Sequence, residues 1–392
     1  MQVCAIITEY NPFHAGHAYQ IAKIREKIPD CAIVSIMSGN YVQRGEPAIW
    51  DKYHRAAYAV QANGPDVVLE LPLPAALSSA EGFARGGIQL ANAIGCVTHL
   101  SFGCETGTEE SLLSLASCLN SEEFAAVLQK HLPTCASYAH AASAAAHELC
   151  PQYASLLDSP NDLLAVQYCR SLLEICPHIQ PIAIRRKGAA HDGTPEDNIP
   201  SASYIRSLFR SHQETNALAL IPQAYRQNCR NARSHSWNDM EYAVLSYLRR
   251  LTLEDIRTLP GVSEGLEHRF WQACQKSTSL EDLWDCVRSR RHPLSRIRRL
   301  TLCAYLGITQ QMTTLPPAFV TVLAMNDRGR QVLKTMKDTC TLPVIVKPLQ
   351  ARNLTGDAAR LWNLTVSADD QYYFPEPGGK SWTGTPYYHK SK

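Results

Sequence analysis

Thr8-Glu9-Tyr10-Asn11-Pro12-Phe13-His14-Ala15-Gly16-His17 lies where a short apolar run, Val3–Glu9, gives way to a helical pattern. Three similar runs, Ala32–Met37, Asp66–Leu71 and His99–Gly103, each end in a polar or glycine-containing loop, with stretches of helical length between them. Parallel strands need a crossover, so this alternation predicts a Rossmann-like α/β fold with a doubly wound parallel sheet. In such a sheet the loop after the first strand lies on the carboxyl edge, where ligands bind.

The residues of that loop suit phosphate chemistry. Gly16 lets the backbone come close to a ligand, and free N–H groups at a helix start attract anions. The three-residue spacing of His14 and His17 puts both imidazoles on one side of the first helical turn. Protonated or hydrogen-bonding imidazole then stabilises charge on an α-phosphate and its departing pyrophosphate, with no covalent protein intermediate. On the blander reading one His caps the helix and the other packs on the surface. Placement at the first strand-to-helix junction, after Asn-Pro-Phe, favours the chemical reading. A second element, Ser201-Ala202-Ser203-Tyr204-Ile205-Arg206, opens a helix after the last expected strand, Ile179–Arg185. Ser201, Ser203, the local N–H groups and Arg206 would grip the β- and γ-phosphates from the other side.

Outward from these motifs, the chain divides into residues 1–212, a nucleotide-binding domain; 213–347, mainly helical with a small α/β element; and a tail, 348–392. Within the first, the Ala- and Leu-rich stretch 106–176, punctuated by Pro133, Pro151 and Pro160, reads as a helical insertion. The Gly-, Pro- and Tyr-rich residues from Ser367 onward are expected to be poorly ordered.

Charge follows the same division. Residues 1–200 hold 12 Lys and Arg against 20 Asp and Glu, a net of −8, whereas residues 201–392 hold 26 against 16, a net of +10. The second half is therefore expected to meet a polyanion. Six arginines, Arg288, Arg290, Arg291, Arg296, Arg298 and Arg299, crowd around Pro293, and together with Arg249, Arg250 and Arg269 they would hold RNA by its phosphates. A solvated charged face is the alternative, which the scarcity of interleaved acids disfavours. Sequence would be read elsewhere, by splayed bases on aromatic rings.

A hydrophobic fraction of 45% against 19% charged residues provides for packed cores. With neither a secretory signal nor an apolar run of bilayer length, the chain is expected in the cytoplasm, away from membranes. Fourteen scattered cysteines without a CxxC pair read as reduced thiols and argue against a zinc site, so no metal is assigned to protein ligands.

The HxGH loop paired with the late Ser-x-Ser-x-Ile-Arg helix start resembles the nucleotidyltransferase superfamily. Four longer stretches, Glu9–His17, Met37-Ser38-Gly39-Asn40-Tyr41-Val42-Gln43-Arg44-Gly45-Glu46-Pro47-Ala48, Leu69-Glu70-Leu71-Pro72 and Ser159-Pro160-Asn161, are similar to one branch, the bacterial tRNA(Met) cytidine acetate ligases. Glu264-Gly265-Leu266-Glu267-His268-Arg269 is similar as well, and the likeness runs to about Lys347. The resemblance implies two steps. ATP and acetate form acetyl-adenylate, and the wobble cytidine of elongator tRNA(Met) takes the acetyl group on N4. It also implies ATP contacts by Ile7, Thr8, Glu9, Tyr10, Asn11, Pro12, Phe13, His14, Ala15, Gly16, His17, Ala18, Tyr19 and Gln20, by Gly103 and Asn161, and by an Arg ahead of His191-Asp192. Anchoring on Gly188 favours Arg186 for that role, and counting back from His191 favours Arg185. Cys104 stands where the family commonly has Ser. Gln43, Arg44 and Glu46 are candidates for handling the nucleobase or the acetyl group, and Arg44 joins His14 and His17 in the catalytic set. Mg2+ would enter with the phosphates. Two other readings compete: a small-molecule adenylyltransferase releasing pyrophosphate, and a non-catalytic RNA-binding protein with a relict nucleotide site.

Overall fold

The computed structural model describes residues 1–135, 137–187, 200–229, 232–263, 265–375 and 384–390, so that Gly188, His191, Asp192 and Glu264 lie outside the described residues. The strands are β1 Val3–Thr8, β2 Ala32–Ser38, β3 Tyr41–Val42, β4 Glu46–Pro47, β5 Val67–Leu71, β6 His99–Cys104, β7 Gln180–Arg185, β8 Val320–Asn326, β9 Val344–Ile345 and β10 Tyr387–His389. One sheet runs β10-β8-β5-β2-β1-β6-β7, with β9 on β8, and β3 and β4 form a separate hairpin. Strands β5, β2, β1, β6 and β7 are mutually parallel.

Every residue of β1, β2 and β5 is buried, as a parallel sheet covered on both faces requires. Alternation along β1 divides it between two cores. Val3, Ala5 and Ile7 pack with Phe83 and Ile88 of helix Ala80–Ile94, whereas Cys4 and Ile6 pack with Ile21 and Ile24 of helix Ala15–Lys27. From β1 the chain first builds outward through β2 to β5, then returns to place β6 and β7 on the other side. The direction of winding therefore reverses between β1 and β6, which opens a crevice at their carboxyl ends. The Ala- and Leu-rich stretch supplies helices Glu109–Leu119, Glu122–His131, Tyr138–Leu149 and Pro160–Ile175 on the first core.

Two segments differ from the sequence expectation. The small α/β element is part of the main sheet: β8 pairs antiparallel with β5. Val320 and Val322 face one core while Leu323 and Ala324 face the other, so this strand is covered on both sides, which a short isolated pair would not achieve. The tail also carries structure. Its helix Gly356–Tyr373 buries Leu361, Trp362, Ala368, Tyr372 and Tyr373 in a third core with the helices of the basic region, and β10 pairs with β8. Aromatic residues at helical spacing outweigh the loop-like composition. All fourteen cysteines are free thiols. Among the described residues no helix is long and apolar enough to cross a membrane.

Candidate active site at the β1–β6 crevice

His14 is the N-cap of helix Ala15–Lys27, with extended backbone, and its Nδ1 accepts the Gly16 N–H at 3.0 Å. The His14 N–H donates in turn to His17 Nδ1 at 3.2 Å, and the two ring centres are 4.0 Å apart. Helix cap and candidate chemical group are thus the same residue. Because both Nδ1 atoms accept, each neutral ring carries its proton on Nε2. Burial, assisted by the Arg186 and Arg206 cations, pushes the His14 pKa down to about 3. Burial, then His14 and Arg186, holds His17 well below the usual histidine range. The sequence admitted protonated rings. The geometry instead supplies two neutral Nε2–H donors, while the Gly16 N–H is taken up by His14.

An unfolded histidine protonates near pH 6.5 and folded His14 resists, so stability is complete above that value and declines as pH falls toward 3. His14→Asn, which keeps an N-cap acceptor, should lose roughly 2 kcal/mol less than the wild type between pH 7.5 and 5.0 in urea unfolding. Parallel declines in the two proteins would show that the ring is not buried neutral.

Ile7, Thr8, His14, Gly16, His17, Tyr19 and Gln20 line one wall of the crevice, Gly103, Asn161 and Tyr168 the other, with Arg185, Arg186 and Ser201 at its margin. A Cβ on Gly103 would meet Arg186 Cγ at 3.2 Å, so glycine is what lets Arg186 lie across β6. Arg186 Nη1 donates to Asn161 Oδ1 at 3.2 Å. Arg185, the last residue of β7, is exposed. Asp162 accepts from the Glu105 and Thr106 backbone at 2.7 and 3.0 Å, pinning the Asn161 helix start to the end of β6.

The rest of the loop holds the motif in place. Glu9, Tyr10, Asn11, Pro12, Phe13, Ala15 and Ala18 are not on the crevice wall. The Tyr10 hydroxyl bonds Ser35 Oγ at 2.6 Å, Asn11 Oδ1 accepts the Ile49 N–H at 2.8 Å, and the Phe13 carbonyl accepts the Tyr225 hydroxyl. Ser201 Oγ accepts the Tyr204 N–H at 3.1 Å as the N-cap of helix Ala202–Arg210. Arg206 donates to the Asn11 carbonyl at 2.7 Å and to Ser203 Oγ at 3.3 Å, so Ser203 and Arg206 buttress the loop from behind Ser201.

The β3–β4 hairpin stands beside this loop, with Gln43 N–H donating to Glu9 Oε1 at 2.8 Å and Arg44 exposed at its tip. Burial opposes ionisation of Glu9 and raises its pKa, with Arg206, Arg44 and Arg55 pulling the other way. Glu46 is buried and accepts from Arg298 at 2.6 Å and Arg210 at 3.0 Å, with Arg206 Nε 4.0 Å away. Burial would raise its pKa, yet these three guanidiniums outweigh it and hold the carboxyl below the usual range. Gly45 has φ of +74°, and a Cβ there would lie 2.4 Å from the Arg299 backbone N, so only glycine allows the hairpin to seat on helix Leu294–Leu306.

That seat corrects part of the basic cluster. Arg298 and Arg299, expected to face phosphates, turn into the joint, with Arg299 donating to the Gln43 carbonyl at 3.1 Å. Arg296 is half-buried and donates to the Gly261 carbonyl at 2.7 Å. Arg249, Arg250, Arg269, Arg288, Arg290 and Arg291 are exposed, although Arg269 also braces the Cys286 carbonyl at 2.7 Å.

Several supporting residues escaped the sequence reading. Buried Arg55 donates to the carbonyls of Glu9, Ser38, Gly39 and Trp50, clamping the exits of β1 and β2 together. Fully buried Lys52 reaches Glu70 at 2.7 Å and Asp369 at 2.6 Å, and Asn40 Nδ2 donates to Asp369 at 2.8 Å. Nothing local in the sequence signals these partners, because Asp369 is 317 residues from Lys52. Among the described residues no group of three or more His, Cys, Asp or Glu could hold a metal ion.

With this geometry in view, the family model for HIGH nucleotidyl transferases matches residues 1–382. A tRNA(Met) cytidine acetate ligase from Clostridium novyi is 36% identical over 88% of this chain and 90% of its own length. Another, from Alkaliphilus metalliredigens, is 32% identical over 100% and 99%. This chain belongs to the tRNA(Met) cytidine acetate ligase family, among the HIGH nucleotidyl transferases. The crystal structure of apo Thermotoga maritima TmcAL superposes with a TM-score of 0.92 at 29% identity, each chain covered completely. The same protein bound with α-thio ATP superposes at 0.91. A family likeness over the full sheet and the helical region agrees with the seating of the hairpin between them.

Proposed function

We propose that the chain is an ATP-dependent acetate ligase that forms acetyl-adenylate and acetylates N4 of the wobble cytidine in elongator tRNA(Met). The observation that carries this reading is the pair of neutral imidazoles with Nε2–H donors at the winding reversal, in a chain similar throughout to proteins of that name. An acetate oxygen attacks the α-phosphorus, the bond to pyrophosphate breaks, and the charge passing onto the phosphate oxygens meets the donors of His14 and His17 and the Arg186 guanidinium. The N4 lone pair then attacks the acetyl carbonyl, AMP departs, and the amine gives up a proton. Arg186 and Asn161 together suit the nucleotide side of the crevice, with Arg185 at its rim. Exposed Arg44 projects from the hairpin tip, where it fits the acyl or acceptor side. Mg2+ would arrive bound to the triphosphate. A cytoplasmic location fits a tRNA acceptor.

Mass spectrometry of nucleosides from a tRNA(Met) transcript incubated with protein, ATP and acetate tests the reading. N4-acetylcytidine formed only when both small molecules are present is the expected result. Its absence, with ATP consumed on a phosphorylated cofactor precursor instead, would favour a small-molecule adenylyltransferase. The exposed arginines yield a separate expectation. Arg290→Ala with Arg291→Ala should weaken tRNA binding and lower the slope of log K against log salt by about 1.5 to 2, one phosphate contact for each side chain. An unchanged slope would remove both from the RNA interface.

A further inference from the structure

Two sulfurs meet on the helical insertion. Cys118 lies in the last turn of helix Glu109–Leu119, and Cys150 closes helix Tyr138–Leu149 while opening the turn Pro151–Ala154. The Cys150 thiol donates to Cys118 Sγ at 2.8 Å, so the side chains already point at each other and stand within about 1 Å of the ~2.05 Å bond length of a disulfide. Cys150 is buried, whereas Cys118 is only partly covered and can be reached from solvent.

The pair occupies a junction behind the crevice. Asp162 accepts from the backbone of Glu105, Thr106 and Gly107, and so ties the start of helix Pro160–Ile175, which carries Asn161, to the segment leading into helix Glu109–Leu119. The sulfurs tie the same two stretches a second time, at the far end of helix Glu109–Leu119 and just ahead of the turn that leads to Asn161. Between Cys118 and Cys150 the chain carries helices Glu122–His131 and Tyr138–Leu149. Other thiols lack this combination. Cys4 and Cys31 interact with each other, but neither has any exposed surface, and exposed Cys286 donates to Asp282 at 3.8 Å rather than to a second thiol.

We propose that Cys118 and Cys150 form a reversible disulfide, with a low-molecular-weight disulfide as the oxidant, and that the bond closes residues 118–150 into a covalent loop that braces the crevice wall carrying Asn161. Cys118 loses its proton and attacks one sulfur of the small disulfide, which leaves a mixed disulfide and expels a thiolate that takes up a proton. Cys150 Sγ then attacks Cys118 Sγ, and its own proton passes to the second departing thiolate. Two protein thiols are oxidised while one small disulfide becomes two thiols. Burial, then Cys118, pushes the Cys150 thiol up to about 12, so it stays protonated and the opening attack falls to Cys118. Disulfides that form in reducing compartments are usually transient, which suits a bond made by exchange. Because the sulfurs already touch, closure needs little backbone movement, and the cross-link acts chiefly by restricting the opened chain.

The test incubates full-length protein with reduced and oxidised glutathione at a series of ratios, alkylates the free thiols and follows each cysteine by peptide mass spectrometry. Cys118 and Cys150 should lose reactivity together and to equal extents, appearing as one joined species short of two hydrogen atoms, while Cys286 gains glutathione. The joined species should vanish in Cys118→Ser and persist in Cys135→Ser, which removes the one other cysteine between them. Trypsin should cut at exposed Lys130, inside the closed loop, at least about threefold more slowly in the oxidised protein, with dithiothreitol restoring the reduced rate. Glutathione accumulating on Cys118 while Cys150 stays free, or Cys118 joined to Cys135 instead, would overturn the assignment, and wild-type protein alone decides this even if a variant fails to fold. Equal cutting at Lys130 in oxidised and reduced protein would overturn the bracing role.

Discussion

His17→Ala is expected to slow acetate-dependent ATP–pyrophosphate exchange about 10²- to 10³-fold, the cost of removing one prepositioned donor from a developing anion. The tautomer decides which ring atom can donate. His17 Nδ1 is occupied by the His14 N–H, and the ring is kept neutral by burial and by the nearness of His14 and Arg186, so its one remaining polar atom is the Nε2–H donor. That donor needs no reorientation when charge builds on the α-phosphate oxygens, because the helix start fixes it beforehand. Alanine also removes the partner of the His14 N–H, so part of the loss comes through His14. His17→Gln, whose amide can occupy similar space and donate, should recover part of the rate. Affinity for tRNA should change little in either variant, because the exposed arginines belong to the helical region. Exchange in His17→Ala equal to wild type would remove the ring from the chemistry.

Lys52→Met should cost about 3 to 5 kcal/mol in urea unfolding, the range for breaking a buried ion pair from one side. Lys52 is fully enclosed, and the change leaves the Glu70 and Asp369 carboxylates facing each other without a cation. Burial already pushes Asp369 up to about 7 despite Lys52. Without the lysine its folded pKa rises further above the unfolded value, and the stability of such a group is lost as pH rises. The deficit should accordingly be smaller at pH 5 than at pH 8. Asp369→Asn should cost less, since Lys52 keeps Glu70 at 2.7 Å. A Lys52→Met protein as stable as wild type at pH 8 would show that the cluster does not anchor the C-terminal helix.

The parallel sheet was readable because β1, β2, β5 and β6 are short buried runs, each followed by loop residues and helical spacing. The His14–His17 pair was readable because a helix start places two rings three residues apart on one side. The protonation state was not, since it depends on burial and on Arg186 and Arg206, whose approach only the fold establishes. The choice between Arg185 and Arg186 could not be made by counting either. Both side chains border the crevice, and only the fold shows that Arg186 is the one lying against Gly103 and bonded to Asn161. Likewise the arginine run around Pro293 has uniform composition, but helix Leu294–Leu306 turns Arg298 and Arg299 inward and leaves Arg290 and Arg291 outside. The joining of the small α/β element to the main sheet was not readable, because nothing in Val320–Asn326 indicates that its neighbour lies some 250 residues earlier.

That late strand limits how the protein can be dissected and how it is made. Until β8 is synthesised, β5 is an open edge with unpaired backbone groups and apolar residues on both faces, the kind of surface that recruits other chains. A fragment ending near residue 212 would keep the whole HxGH crevice and still be prone to aggregate. During translation the sheet likewise stays incomplete until β8 and β10 emerge, so the nascent enzyme has reason to be shielded by a chaperone over most of its synthesis.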